Sequence, residues 1–303
     1  GAGCSGVFTY IGQKFGSGAL TLTAKSAAGT TLSRLNGSPT NAPAYYVTGY
    51  DGTTVLGSLG LGTLPTAAAP ASTWTAGSYT VTGTNFATTR PSAPAGPYNA
   101  FTLAVTVNDG DSTRITSCTD SSGHPGTITD SSTYSLCQPP TSSGTPLRYG
   151  ILKMDNAYGS ELLPLYVPLT MLHWTGSAWT RNTDDNCTAT QLSTTRIAVS
   201  QTPTGIAMTA PVASSIISGN PGSVSIKFAA TGQGHTGSAD VAINLGTGTT
   251  ATSCATGLTP TSAAADLSWL RGNWCGGSYA KDPSARINFG AAKSPFLYRR
   301  EKY

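Results

Sequence analysis

The residues suited to chemistry are few. Asp184 and Asp185 are adjacent carboxylates of the kind used in acid–base catalysis or at a calcium corner, and His124, His173 and His235 are the three imidazoles of a 303-residue chain. Neighbouring residues on a strand point to opposite faces, so the two aspartates converge only if a loop holds them. Beside Cys187 they read better as turn formers. His124 lies in Gly123-His124-Pro125 and His235 in Gly234-His235-Thr236, both turn sequences, while His173 precedes Trp174 in a predicted strand. No Gly-x-Ser-x-Gly elbow and no Cys/His nucleophile signature accompanies them. Lys25, Lys153, Asp155 and Asn156 supply the residue types of a lysine–asparagine isopeptide crosslink, but nothing in the sequence places them together. The expectation is a protein with no catalytic residue, no cofactor and no metal, which binds or assembles.

The six cysteines, Cys4, Cys118, Cys137, Cys187, Cys254 and Cys275, are even in number and widely spaced, with no Cys-x-x-Cys and no histidine at metal-finger spacing. Disulfides in an oxidising compartment fit this better than zinc. Cys118 with Cys137 and Cys254 with Cys275 would each enclose a short polar loop. Cys4 and Cys187 would then pair over a long distance, or with another molecule; the sequence alone does not fix the connectivity.

Aromatic residues offer the other chemistry, since rings stack on the apolar faces of sugars. Trp174, Trp179, Trp269 and Trp274 could form such a platform, although large aromatics in β-sandwiches more often lie in the core. Tyr45, Tyr46 and Tyr50 flank turns, and with Trp274 they make the expected ligand or partner surface. Near the C-terminus, Phe289, Phe296, Leu297 and Tyr298 are apolar anchors for a strand that could add to a neighbouring subunit's open edge.

Composition narrows the classes. Charged residues make up 10% of the chain, against roughly 25% in an average soluble protein. Such a neutral, small-residue surface suits life outside the cell and packing against copies of itself. Five Trp, thirteen Tyr and seven Phe argue against disorder. The net charge of +4 reflects scarce acids; the one basic cluster is Arg299, Arg300 and Lys302, and no nucleic-acid partner is expected. No stretch approaches the ~18 apolar residues of a membrane span. Gly1-Ala2-Gly3-Cys4 carries neither a start methionine nor a signal core, as in a processed product or a piece of a longer precursor.

These side chains need strands to hold them. Helical periodicity is almost absent, whereas period-2 alternation recurs over residues 19–25, 101–107, 224–228 and 240–245, with Gly, Pro, Asn or Asp nearby for turns. The pattern predicts an all-β chain of two, or three, immunoglobulin-like antiparallel β-sandwich domains tied by disulfides. Val7-Phe8-Thr9-Tyr10, a glycine kink, an alternating strand to Lys25 and a turn at Ala28-Gly29 are echoed later. There the run is Tyr149 to Met154, a kink at Gly159, Leu162 to Trp174 and a turn at Gly176-Ser177. This echo divides the chain into a sandwich over 1–110, a disulfide-containing connector over 111–146 and a second sandwich over 147–303.

Several phrases resemble a known family. They include Phe8-Thr9-Tyr10-Ile11-Gly12-Gln13-Lys14-Phe15, the run from Arg148 to Leu165, Asn182-Thr183-Asp184-Asp185-Asn186-Cys187, Gly237-Ser238-Ala239-Asp240-Val241 and Asp282-Pro283-Ser284-Ala285-Arg286. Together they are similar to the uncharacterised C-terminal domain family of the mannose-sensitive haemagglutinin (MSHA) pilus biogenesis protein MshQ. The resemblance implies a bacterial surface or pilus-associated protein, exported through the inner membrane, with other copies or pilus subunits as partners, and no enzymatic activity. An adhesin that binds surface glycans through loops is the alternative, and a secreted hydrolase ranks last. Family members often carry an acid-rich loop before the closing segment. Here that stretch, Trp269 to Gly277, has no carboxylate, so no calcium is expected there and Cys275 is expected to staple it instead.

Overall fold

A computed structural model describes residues 7–16, 19–26, 28–36, 44–51, 54–56, 74–82, 85–108, 127–129, 135–137, 144–200, 204–206, 211–248, 252–255, 258 and 266–290. The chain is all-β, with mostly antiparallel sheets and a disulfide, as the alternation predicts. It divides into two compact units: Gly1–Gly150 with His173–Thr180, and Ile151–Leu172 with Arg181–Tyr303.

The strands of unit 1 are β1 (Thr9–Tyr10), β2 (Lys14–Gly16), β3 (Ala19–Thr23), β4 (Ala44–Asp51), β5 (Thr54–Val55), β6 (Ser78–Thr82), β7 (Asn85–Ala87), β8 (Tyr98–Asn108), β9 (Thr127–Thr129), β10 (Ser135–Cys137) and β11 (Thr145–Arg148). The long β8 is the hub of a seven-stranded sheet, pairing with β4 along one side and with β11 and β10 on the other. The connector expected over 111–146 therefore contributes β9, β10 and the first half of β11 to this sheet. Two small antiparallel pairs, β2 with β7 and β3 with β6, complete the unit. Its described core gathers Phe8, Tyr10, Ile11, Leu56, Tyr79, Phe101, Leu147 and Tyr149. The phrase from Phe8 to Gln13 builds a seam within it. Phe8 meets Tyr10 edge to face, the buried Gln13 side chain accepts the Tyr10 N–H at 3.0 Å, and Ile11 N–H donates to the Arg148 carbonyl at 2.8 Å.

Unit 2 holds β12 (Gly150–Met154), β13 (Ala157–Gly159), β14 (Leu165–Trp174), β15 (Trp179–Arg181), β16 (Ile197–Val199), β17 (Thr204–Ile206), β18 (Ala213–Ser218), β19 (Ser223–Phe228), β20 (Thr236–Ile243) and β21 (Ser284–Phe289), except that Gly150 of β12, His173 and Trp174 of β14, and Trp179 and Thr180 of β15 belong to unit 1. A one-turn helix, α1 (Thr188–Gln191), precedes β16. One five-stranded sheet runs β12-β14-β19-β18 with β15 on β14; the other runs β13-β21-β20-β16 with β17 on β20. Alternation is strict. Leu165, Val167, Leu169 and Met171 of β14 and Val224, Ile226 and Phe228 of β19 are buried, and so are Ala285, Ile287 and Phe289 of β21. Each sheet has one apolar face, and burying both faces is what two-layer packing achieves.

β12 and β13 are one extended run that changes sheet at Asp155-Asn156. Asp155 N–H donates to the Pro168 carbonyl at 3.1 Å, and one residue later the Asn156 amide oxygen accepts the Arg286 N–H at 2.8 Å. The change of sheet also explains how Pro168 sits inside β14: a strand residue's N and C=O point to the same neighbour, so its missing N–H faces β12 where that strand departs. In each unit one parallel pair joins an early strand to the last one, β1 to β11 and β13 to β21.

Candidate functional site

The registers give unit 2 two distinct ends. At one end lie the loops 182–196 and 219–222 and the described residues of 244–283; at the other lie the turn 160–164, the loop 229–235 and Gly290. The first end is polar and fastened from within. Asp282 is fully buried and accepts from the Leu245 N–H at 3.2 Å, the Thr252 N–H at 2.7 Å, the Thr252 hydroxyl at 3.0 Å and Arg271 Nε at 2.8 Å. Arg196, also buried, donates to the Asn244 carbonyl at 3.1 Å, and the Asn244 amide bonds the Gly246 N–H and the Gly248 carbonyl. Burial pulls the Arg196 guanidinium below its ordinary value, against the opposing pull of Asp266 and Asp282.

On this base stands a small hairpin. Gly272 and Lys281 exchange both backbone hydrogen bonds, Gly276 and Gly277 take positive φ at the tip, and the Cys254–Cys275 disulfide clamps its side. It carries Trp274, half-buried, whose indole approaches Gly272 so closely that a Cβ there would collide with the ring. The indole N–H is buried and has no hydrogen-bond partner among the described residues. The loop without carboxylates is thus held by a staple and an ion pair, and no cluster of three metal-ligating side chains occurs among the described residues.

Asp184 and Asp185 occupy this end as turn residues. Asp185 is buried and accepts from the Cys187 N–H, the Thr188 N–H and the Thr188 hydroxyl, so its carboxylate holds the entry to α1. Cys187 is oxidised; Cys4 and Cys118 lie outside the described residues. His124 also lies outside them, and His173 and His235 are half-buried in different units. Lys153 pairs with Asp155 at 2.7 Å on the surface.

The aromatic expectations divide. Trp269 is core. Trp174 and Trp179 meet at a tilt across the hairpin turn with centroids 5.5 Å apart, and Trp179 abuts the buried Tyr149, under the Arg90 guanidinium. Tyr45, Tyr46 and Tyr50 lie on β4, opposite Val107, Thr106 and Thr102 of β8, and Tyr50 also pairs with Val55 beside the β4–β5 turn. Phe289 corrects the assembly-strand expectation: β21 is bonded on both sides, by β13 and β20, and Phe289 is 2% exposed in its own core. Phe296, Leu297 and Tyr298 lie outside the described residues.

The opposite end shows what the sequence reading missed. Tyr158 is 81% exposed, Leu162 58%, Leu163 64%, Tyr166 49% and Val212 69%, more than half of the large exposed apolar side chains described. Leu162 and Leu163 sit on a tight turn, where the Leu163 N–H donates to the Ser160 carbonyl. Two bonds tie the corner together: Gly232 N–H to the Glu161 carbonyl and Gly290 N–H to the Gly159 carbonyl, 2.9 and 2.8 Å. Alternation suggested one strand over Leu162–Trp174; Pro164, which ends the turn, was the signal against it.

A disulfide-bonded, two-unit all-β protein with no assembled catalytic constellation among its described residues is the class defined so far. Within that class the chain belongs to the uncharacterised family DUF6701. The model of the family's third domain matches residues 2–134 and that of its fourth domain matches residues 148–302. No curated protein matches the chain.

Proposed function

We propose that the chain is an extracellular bacterial surface protein, a structural subunit or tip component of a pilus-like appendage, which acts through β contacts between subunits and not as an enzyme. The tie to the MSHA pilus protein MshQ and the immunoglobulin-like character of the sandwiches belong to this proposal. The observation that supports it best is the exposed turn of unit 2 that carries Leu162 and Leu163, because adjoining exposed apolar side chains mark interaction sites. The 10% content of charged residues adds little repulsion between copies. Electron microscopy and light scattering on the purified protein test it. Ordered polymers, or a complex with other appendage subunits, are expected; a protein that stays monomeric and joins no appendage would overturn it.

One observation favours a second reading, an adhesin that binds glycans through loops. Trp274 stands on a stapled hairpin with a buried indole donor that lacks a partner among the described residues. Glycan binding that disappears in Trp274→Ala while the fold persists is its test.

A further inference from the structure

The loops gathered around Asp282 balance their own charges and leave one cation over. Asp282 pairs with Arg271 at 2.8 Å, and Arg196 lies in the field of Asp266 and Asp282, so two carboxylates face two guanidiniums. The sequence has no charged residue other than Asp266 and Arg271 between Leu245 and Lys281. Lys281 makes no ion pair, side-chain hydrogen bond or cation–π contact with any described residue. A lysine ammonium carries three donors and no acceptor, so one left uncompensated favours an anion.

The strand register puts that cation beside Trp274. Gly272 and Lys281 are an antiparallel pair that exchanges both backbone hydrogen bonds, 2.9 and 3.0 Å. Opposite residues in such a pair send their side chains to one face, with Cα atoms roughly 5.5 Å apart. At Gly272 that face is taken by the Trp274 indole, which a Cβ there would strike at Nε1, Cε2 and Cζ2. Indole and lysine stem therefore leave the hairpin side by side. The indole N–H is buried, so the ring meets a partner through its carbons, as in stacking on the apolar face of a sugar. There is room for a partner: Asn273 and Cys275 to Ser278 are exposed, and a Cβ on Gly276 or Gly277 would meet nothing within 4 Å. Cys275, next in sequence to Trp274, is clamped to Cys254, which lowers the cost of ordering the hairpin on binding.

We infer that Trp274 and Lys281 form one site for an acidic polysaccharide, with a sugar ring on the indole and its carboxylate or sulfate on the ammonium. This rests on the glycan-binding reading above and names the class of glycan. A neutral glycan would leave the ammonium unused, and a bare inorganic anion would leave the indole unused.

Affinity electrophoresis of the full chain through gels that hold polygalacturonate, dextran sulfate or plain dextran tests the site. Retardation by an acidic polymer, and less by dextran, is expected; the two acidic gels tell carboxylate from sulfate. Trp274→Ala should weaken it about tenfold, and Trp274→Tyr, which keeps a ring there, much less. Lys281→Gln should weaken it about fivefold with an unchanged thermal midpoint, while Lys227→Gln on β19 leaves it intact. Retardation that falls equally in both lysine variants and is untouched by Trp274→Ala is attraction to the net charge of +4 and overturns the site. Dextran bound as tightly as the acidic polymers, sensitive to Trp274→Ala and indifferent to Lys281→Gln, overturns the acidic class and leaves the glycan reading standing. Retardation by none of the three overturns the site; if an array of other glycans is silent too, the glycan reading falls with it.

Discussion

The two ends of unit 2 are built from the same ten strands and differ in what finishes them. One end turns charge inward: Asp282 gathers four donors, Arg196 and Asn244 tie neighbouring loops, and a disulfide clamps the hairpin that carries Trp274. The other turns apolar side chains outward on a tight turn held by two backbone bonds. Polar groups removed from water are costly unless satisfied, so the first end makes one fixed shape. Exposed leucines and tyrosines contribute nothing to the isolated fold and gain only when something covers them. Stability resides at one end, and the proposed assembly would use the other.

That division can be broken experimentally. Asp282→Ala should have the largest effect, lowering unfolding free energy by about 4 kcal/mol, because it leaves Arg271 without its partner and orphans two backbone N–H groups. Denaturant titration measures it, and a loss under 1 kcal/mol would mean the buried pair is not holding the loops. Next, replacing Cys254 and Cys275 together by serine opens a loop of sequence separation 21 and should cost about 3 kcal/mol. Gly222→Ala places a Cβ against the Asn182 carbonyl at positive φ and should cost about 2 kcal/mol. Smallest of all, Leu163→Asp at the apolar end should shift unfolding by no more than about 0.5 kcal/mol while lowering self-association measured by light scattering. A large stability loss there would erase the contrast.

The sequence disclosed the fold class well, because a half-buried strand must alternate. The runs 224–228 and 240–245 became β19 and the inner half of β20. Cys254 and Cys275 could be paired because the loop they close is short and polar. Pairings that depend on distant segments were not readable. Nothing local shows that β8 would join β4, β10 and β11, or that β21 would lie between β13 and β20 and take Phe289 into the core. Asp282 was hidden for the same reason: its partners Leu245 and Thr252 lie 37 and 30 residues away. The exposed corner was hidden for a different one. Leu162 and Leu163 read as core by composition, and only the turn that precedes β14 lifts them into solvent.

The parallel pairing of β13 with β21 also governs how the unit meets a tensile load. Pulling the chain apart at these two strands drags them past one another lengthwise, so their hydrogen bonds resist together and cannot peel open in turn. The matching pair β1–β11 gives the first unit the same grip. A thread made of such units would hold until a whole ladder sheared at once.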